Sequence, residues 1–95
     1  MLIDIGYYNY VNLEKIVGLK SGKEETKDDK LFYEEIKEQG IAVDATNGNK
    51  RRSYVMTSDG KVYVSNVRPE TLYKRINGAL GYSLIAEPEG EEDEE

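Results

Sequence analysis

The stretch Ile41–Ser65, IAVDATNGNKRRSYVMTSDGKVYVS, decides how this chain folds. It reads as three short strands joined by two glycine turns. Ile41–Thr46 is the first strand, and Asn47-Gly48-Asn49 favours the positive φ that a turn requires. Ser53–Thr57 and Lys61–Ser65 are β-rich runs separated by Ser58-Asp59-Gly60, and Asp-Gly in that setting is a strong hairpin signal. Three consecutive cations, Lys50-Arg51-Arg52, stand at the first turn and form the only segment that proposes a chemistry. Strand alternation points Lys50 and Arg52 to one face and Arg51 to the other, unless the turn extends through them. Such a cluster suits phosphate, because arginine offers a planar fork and lysine a mobile point charge. It equally suits a solvated run that guards a strand edge against aggregation. Lys15 joins the patch only if the turn before the second strand lies beside the basic turn.

Outward from this unit, each side carries one helix. Downstream, Pro69 fits the first helical position, Glu70 lies in the first turn, and Lys74 and Arg75 lie in the last, which complements the helix dipole. Leu72, Tyr73 and Ile76 supply the buried stripe, and Gly78 is read as the stop. Upstream, Thr26 followed by Asp29 resembles a capping box, with Asp28 as the alternative cap. Leu31, Phe32 and Ile36 share a helical face, and Gly40 suits the position just past the end. Before that helix, Lys20–Lys30 is a polar link. Leu2–Ile5 and Ile16–Leu19 read as strands, and Asn12–Lys15 as a tight turn between Tyr7–Asn12 and the second strand. Tyr7, Tyr8 and Tyr10 favour a pleated surface. They read as core or subunit contact before they read as a stacking platform for bases or a sugar. Tyr82–Ala86, with Leu84 and Ile85, reads as an edge strand or part of a partner contact. The predicted class is therefore α+β: a small antiparallel sheet of about five strands with two helices, ordered strand-strand-helix-strand-strand-strand-helix.

Ninety-five residues suffice for one modest core. Residues 1–80 are expected to form a single domain, and 81–95 a C-terminal extension ending in a disordered acidic tail. The formal charge of −6 conceals this division. Residues 87–95 hold seven acids and no base, which leaves 12 acids against 13 bases in residues 1–86, a net of +1. The tail reads either as a solubilising segment or as a polyanion that folds back on the basic turn. The chain has no cysteine and no histidine, which excludes thiolate chemistry and any Ser-His or Cys-His nucleophile. Asp4, Asp44 and Asp59 are scattered without metal-ligand spacing, and no glycine-rich phosphate loop is present. The expectation is a non-enzyme without metal or cofactor. No apolar run suggests a membrane span and the N-terminus lacks signal-peptide character, so a cytoplasmic location is expected.

Two parts of the sequence resemble one family. LIDIGYYNYVNLEKIVGL is similar to the opening of the RemA-like proteins, with Ile3, Gly6, Asn9, Val11 and Lys15 at the matching positions. Val43-Asp44-Ala45-Thr46-x-Gly48, followed by a basic run, and Val67-x-Pro69-Glu70-Thr71 resemble two further motifs of that family, in the same order. The resemblance covers roughly residues 2–76. It implies a small bacterial DNA-binding regulator of biofilm-matrix genes whose protomers assemble into a ring with basic residues on DNA. The family's basic residue before the second strand falls on Lys15. Its paired arginines fall on Asn49 and Lys50, and a further arginine on Arg52, while Arg51 stands where a small polar residue is usual.

The resulting expectation is an oligomeric, ring-forming transcription regulator that contacts double-stranded DNA through Lys15, Asn49, Lys50, Arg51 and Arg52. Tyr7, Tyr8, Tyr10, Leu84 and Ile85 are the candidates for self-association. The alternative is a protein–protein scaffold or adaptor that does not bind DNA.

Overall fold

The computed structural model describes residues 1–80, so Leu84, Ile85 and the acidic segment lie outside the described residues. Six strands and two helices follow in the order β1 (Leu2–Gly6), β2 (Asn9–Asn12), β3 (Ile16–Ser21), α1 (Lys27–Glu38), β4 (Ala42–Ala45), β5 (Ser53–Thr57), β6 (Val62–Ser65) and α2 (Pro69–Leu80). The class is α+β. β1 and β2 form an antiparallel ribbon, and the other four strands form a mixed sheet in the order β3-β5-β6-β4.

One pairing departs from an all-antiparallel sheet and governs the rest. β5 and β6 form the antiparallel hairpin that Asp59-Gly60 announces. β4, however, pairs with β6 in parallel, Ala45 opposite Ser65. Residues 46–52 therefore do not close a tight hairpin. They arch over the C-terminal end of β6 to reach β5 on its far side. The arch is pinned there: Arg52 N–H donates to Ser65 O at 2.9 Å, and Asn66 Nδ2 donates to Lys50 O at 2.7 Å. Its approach is set by Asp44, whose Oδ1 accepts from both N–H and Oγ1 of Thr46. Those bonds, the hydroxyl's first, hold the Asp44 carboxyl below its ordinary pKa.

Each face of β5 is buried, which makes it the centre of the molecule. Val55 packs with Ile3, Ile5, Val11, Ala45, Leu72 and Ile76 beneath α2 and the β1–β2 ribbon. Tyr54 faces the other way, with Ile36, Val62 and Val64 beneath α1. Ser65 Oγ donates to Ile5 O at 2.7 Å, which fastens the ribbon to the sheet. Gly6 lies at φ +113° with Val67 Cγ2 only 3.2 Å from where a Cβ would sit, so conformation and space both require glycine.

Helix α1 is capped as its sequence suggests, with a difference. Thr26 Oγ1 accepts from Asp29 N–H at 3.2 Å. The Asp29 carboxylate, though, does not return to the cap, because Thr26 N–H already donates to Lys23 O. At the far end Gly40 adopts φ +73°. There the Gly40 and Ile41 N–H groups donate to Lys37 and Ile36 carbonyls, the paired pattern of a Schellman stop. Leu31, expected on the buried face, is exposed. Phe32 and Ile36 pack inward as expected, and Tyr33 joins them. Helix α2 runs through Gly78 to Leu80 rather than stopping there. Tyr7 and Tyr8 are not strand residues: both have positive φ (51° and 64°) and form the turn between β1 and β2. Asn9 Nδ2 spans that turn with bonds to Gly6 O and Tyr7 O.

Removing the α1 cap tests this account of the helix. Thr26→Ala is expected to lower stability by about 1 kcal/mol in urea unfolding, and Thr26→Ser to restore most of it. Equal midpoints for all three chains would show that the hydroxyl contributes nothing.

Candidate nucleic-acid interface at the basic arch

The turn extends through all three cations, since β5 begins only at Ser53, yet the arch still divides them between two sides. Arg51 turns inward to α1. Its Nη2 and Nε lie 2.9 and 3.3 Å from Asp29 Oδ2, its Cζ sits 4.0 Å from the centre of the Tyr33 ring, and its own N–H donates to Glu24 Oε2 at 2.9 Å. The Arg51 side chain is 17% exposed and that of Asp29 only 4%. Asp29 Oδ1 accepts from Tyr54 Oη at 2.8 Å, and Phe32 meets the Tyr54 ring edge-on at 4.8 Å. Burial works against the guanidinium's charge, but its bonds to Asp29 more than offset this and its pKa is raised. Burial, reinforced by the hydrogen bond to Asp29, pushes the Tyr54 phenol up to about 12. Arg51 is thus a structural cation, not a surface one. Sequence alone offered one hint, since Asp29 occupies the capping-box position without the glutamate length that position favours.

Lys50 and Arg52 turn the other way, onto a shallow concavity of about 170 Å³. Lys23 from the link before α1 and Arg68 from the turn before α2 share its lining, along with Glu25 and Glu70. Four cations from three chain segments thus meet where β3 ends, β5 begins and α2 starts. Glu25 Oε1 lies 3.9 Å from Lys50 Nζ, an exposed pair of small energetic consequence. Lys23 and Arg68 escaped the sequence reading because they are isolated in the chain, and only the sheet order brings them to the arch.

Two other expected members stand differently. Asn49 belongs to the arch, but its amide nitrogen is spent on Thr46 O at 3.0 Å and Tyr7 Oη at 2.8 Å, so it shapes the turn and ties it to the ribbon. Lys15 is not in the patch. It ends the short 3-10 turn before β3, where its carbonyl accepts from Ser58 N–H and its charge faces Asp59. Antiparallel pairing sets Ile16 against Thr57 and Ser21 against Ser53. Lys15 therefore lies a full strand, about 16 Å, from the arch. Asp59 is itself a turn residue, accepting from Thr57 Oγ1, and Asp44 holds Thr46. Among the described residues no cluster of three or more His, Cys, Asp or Glu could hold a metal ion, and no helix is long and apolar enough to cross a membrane.

The ribbon carries the expected aromatic surface. Tyr8 is 92% exposed at the turn, and Tyr7 and Tyr10 are about half exposed. Leu2 and Tyr10 lie on the outer face, opposite the buried Ile3, Ile5 and Val11.

Two measurements probe the inward half of the arch. Arg51→Ala leaves the Asp29 charge buried and uncompensated, and the expected loss is about 3 kcal/mol in urea unfolding. A loss under about 1 kcal/mol would mean that the pair is not structural. Because the folded-state pKa of Tyr54 lies above the ordinary tyrosine value near 10, the stability it contributes is intact below that pH and drains away as pH rises toward about 12. Ultraviolet titration of phenolate should show a late-ionising component that Tyr54→Phe removes; a wild-type profile unchanged by that substitution would contradict the assignment.

Comparison with known proteins assigns the chain to one family. Residues 2–76 match the family model for RemA-like proteins, described as extracellular matrix regulatory protein A-like. The chain is 33% identical over 93 residues to a protein of Acetivibrio thermocellus, covering 98% of each chain. It is 39% identical over 93 residues to one of Symbiobacterium thermophilum, covering 96% of this chain and 95% of the other. It is 36% identical over 76 residues to one of Alkaliphilus oremlandii, covering 80% of each. All three carry the name "Putative regulatory protein". With its turns, cap and basic arch falling inside the matched span, this chain belongs to the RemA-like family of regulatory proteins.

Proposed function

We propose that this regulatory protein binds double-stranded DNA as a homo-oligomer, with the outward half of the basic arch on the phosphate backbone. The observation that carries the reading is the gathering of Lys23, Lys50, Arg52 and Arg68 around one open concavity. Phosphates are the chemistry that a mixed lysine and arginine cluster on an open surface fits best. Arg51 acts from behind: held by Asp29 and Tyr33, it fixes the backbone from which Lys50 and Arg52 project. Asn49 contributes turn geometry, and Lys15 would reach the same duplex only from another part of an assembly. Four phosphate contacts per protomer are weak alone, and repeating them around a closed oligomer gives avidity. The exposed ribbon face with Leu2, Tyr8 and Tyr10 is the surface through which copies associate. A cytoplasmic location goes with this reading.

Fluorescence anisotropy on duplex DNA at several salt concentrations tests this, with sedimentation giving the oligomeric state. Four contacts predict a log–log salt slope of about −3.6 per protomer engaged. Lys50→Ala/Arg52→Ala should weaken binding at least tenfold and flatten the slope by about 1.8 per protomer, with oligomer size unchanged. Tyr8→Ser/Tyr10→Ser should shrink the oligomer and weaken binding with it. A folded oligomer that shows no salt-sensitive affinity for duplex DNA would overturn the reading and favour an adaptor that docks an acidic protein.

A further inference from the structure

The concavity bordered by Lys23, Lys50, Arg52 and Arg68 has a second polyanion within reach besides DNA. Residues 87–95 of the same chain hold seven acids and no base. We propose that this acidic segment docks into the concavity of its own subunit and competes there with DNA phosphate. Three observations support it. The first is charge. Four cations border the concavity against two acids, Glu25 and Glu70, a local excess of two positive charges. The concavity also lies at the start of α2, where the helix dipole adds positive potential.

The second is reach. The 12 residues of α2 rise about 18 Å from Pro69, beside the concavity, to Leu80. Residues 81–89 can span up to about 30 Å, so a chain that doubles back along α2 brings Glu89 and the acids after it to the concavity with slack. The third is precedent in the molecule itself. Glu25 already approaches Lys50 to 3.9 Å, so this surface accommodates a carboxylate from the same chain.

A short tether gives the segment an effective concentration of order millimolar. An intrinsic dissociation constant of a few tenths of a millimolar then weakens competing DNA by roughly three- to tenfold. Being electrostatic, the effect fades as the screening length falls below the separation of the charges. The docking stands on charge and reach; its regulatory consequence rests on the DNA reading above.

The test compares the full chain with a full-length variant whose seven acids in 87–95 are replaced by the matching amides. Zero-length carbodiimide cross-linking, read by peptide mass on chains co-refolded from a heavy- and light-isotope mixture, reports contact directly. The expected products join residues 87–95 to Lys23 or Lys50 within one isotope and disappear when excess duplex DNA is added. The amide variant should bind duplex DNA three- to tenfold tighter at low salt, the two proteins converging at high salt. Absence of those cross-links in the folded chain overturns the docking, and cross-links between heavy and light chains overturn its same-subunit placement. Intact DNA binding of equal strength in both proteins defeats the competition and leaves the DNA reading standing. Cross-links with no DNA binding by either protein defeat the DNA reading and leave the docking standing.

Discussion

The buried pairing of Arg51 with Asp29 holds the basic end of the molecule together. It joins three elements that share no backbone hydrogen-bond ladder: the first turn of α1, the arch between β4 and β5, and the start of β5 through Tyr54. Ion pairs in such settings contribute little net stability against an apolar alternative, because desolvation consumes most of the Coulomb gain. Their value is in specifying geometry. Glu24 on the Arg51 N–H and Tyr33 under its guanidinium leave the arch one orientation, with Arg51 inward and its two neighbours outward. The outward cations are positioned by the one that is not free to bind anything else.

That division clarifies what the sequence could and could not convey. Local chemistry was legible: the Asp59-Gly60 hairpin, the Thr26 cap, the Gly40 stop and the Pro69 start all depend on residues within a few positions of one another. The errors came where tertiary context prevailed. Leu31 carries an apolar side chain at helical spacing, yet the face that meets the sheet is set by Asp29, Phe32 and Ile36, and Leu31 falls outside it. Tyr7 and Tyr8 have strong strand propensity but sit at positive φ, because Gly6 must bend against Val67 and the Asn9 amide closes the turn behind it. Gly78 does not end α2.

The candidate site was legible only in part for the same reason. Lys50-Arg51-Arg52 stood out as a run, but a run does not reveal which member is buried until its counter-ion is located 22 residues upstream. Lys23 and Arg68 are 45 residues apart in sequence and meet only because β3 and β6 terminate at the same end of the sheet. The placement of Lys15 turned on strand direction alone: antiparallel pairing of β3 with β5 sends it to the opposite end.

The insertion of β6 between β4 and β5 also constrains the order of assembly. The β5–β6 hairpin joins neighbours in the chain and closes at small entropic cost, whereas β4 must wait for β6 before it has an edge to join. Until then residues 46–52 have no strand end to cross, and Lys50 has no Asn66 to hold its carbonyl. The cationic surface thus exists only in the assembled sheet. A chain still emerging from the ribosome, among the most concentrated polyanions in the cell, carries its lysines and arginines dispersed, and gathers them only once the sheet is complete.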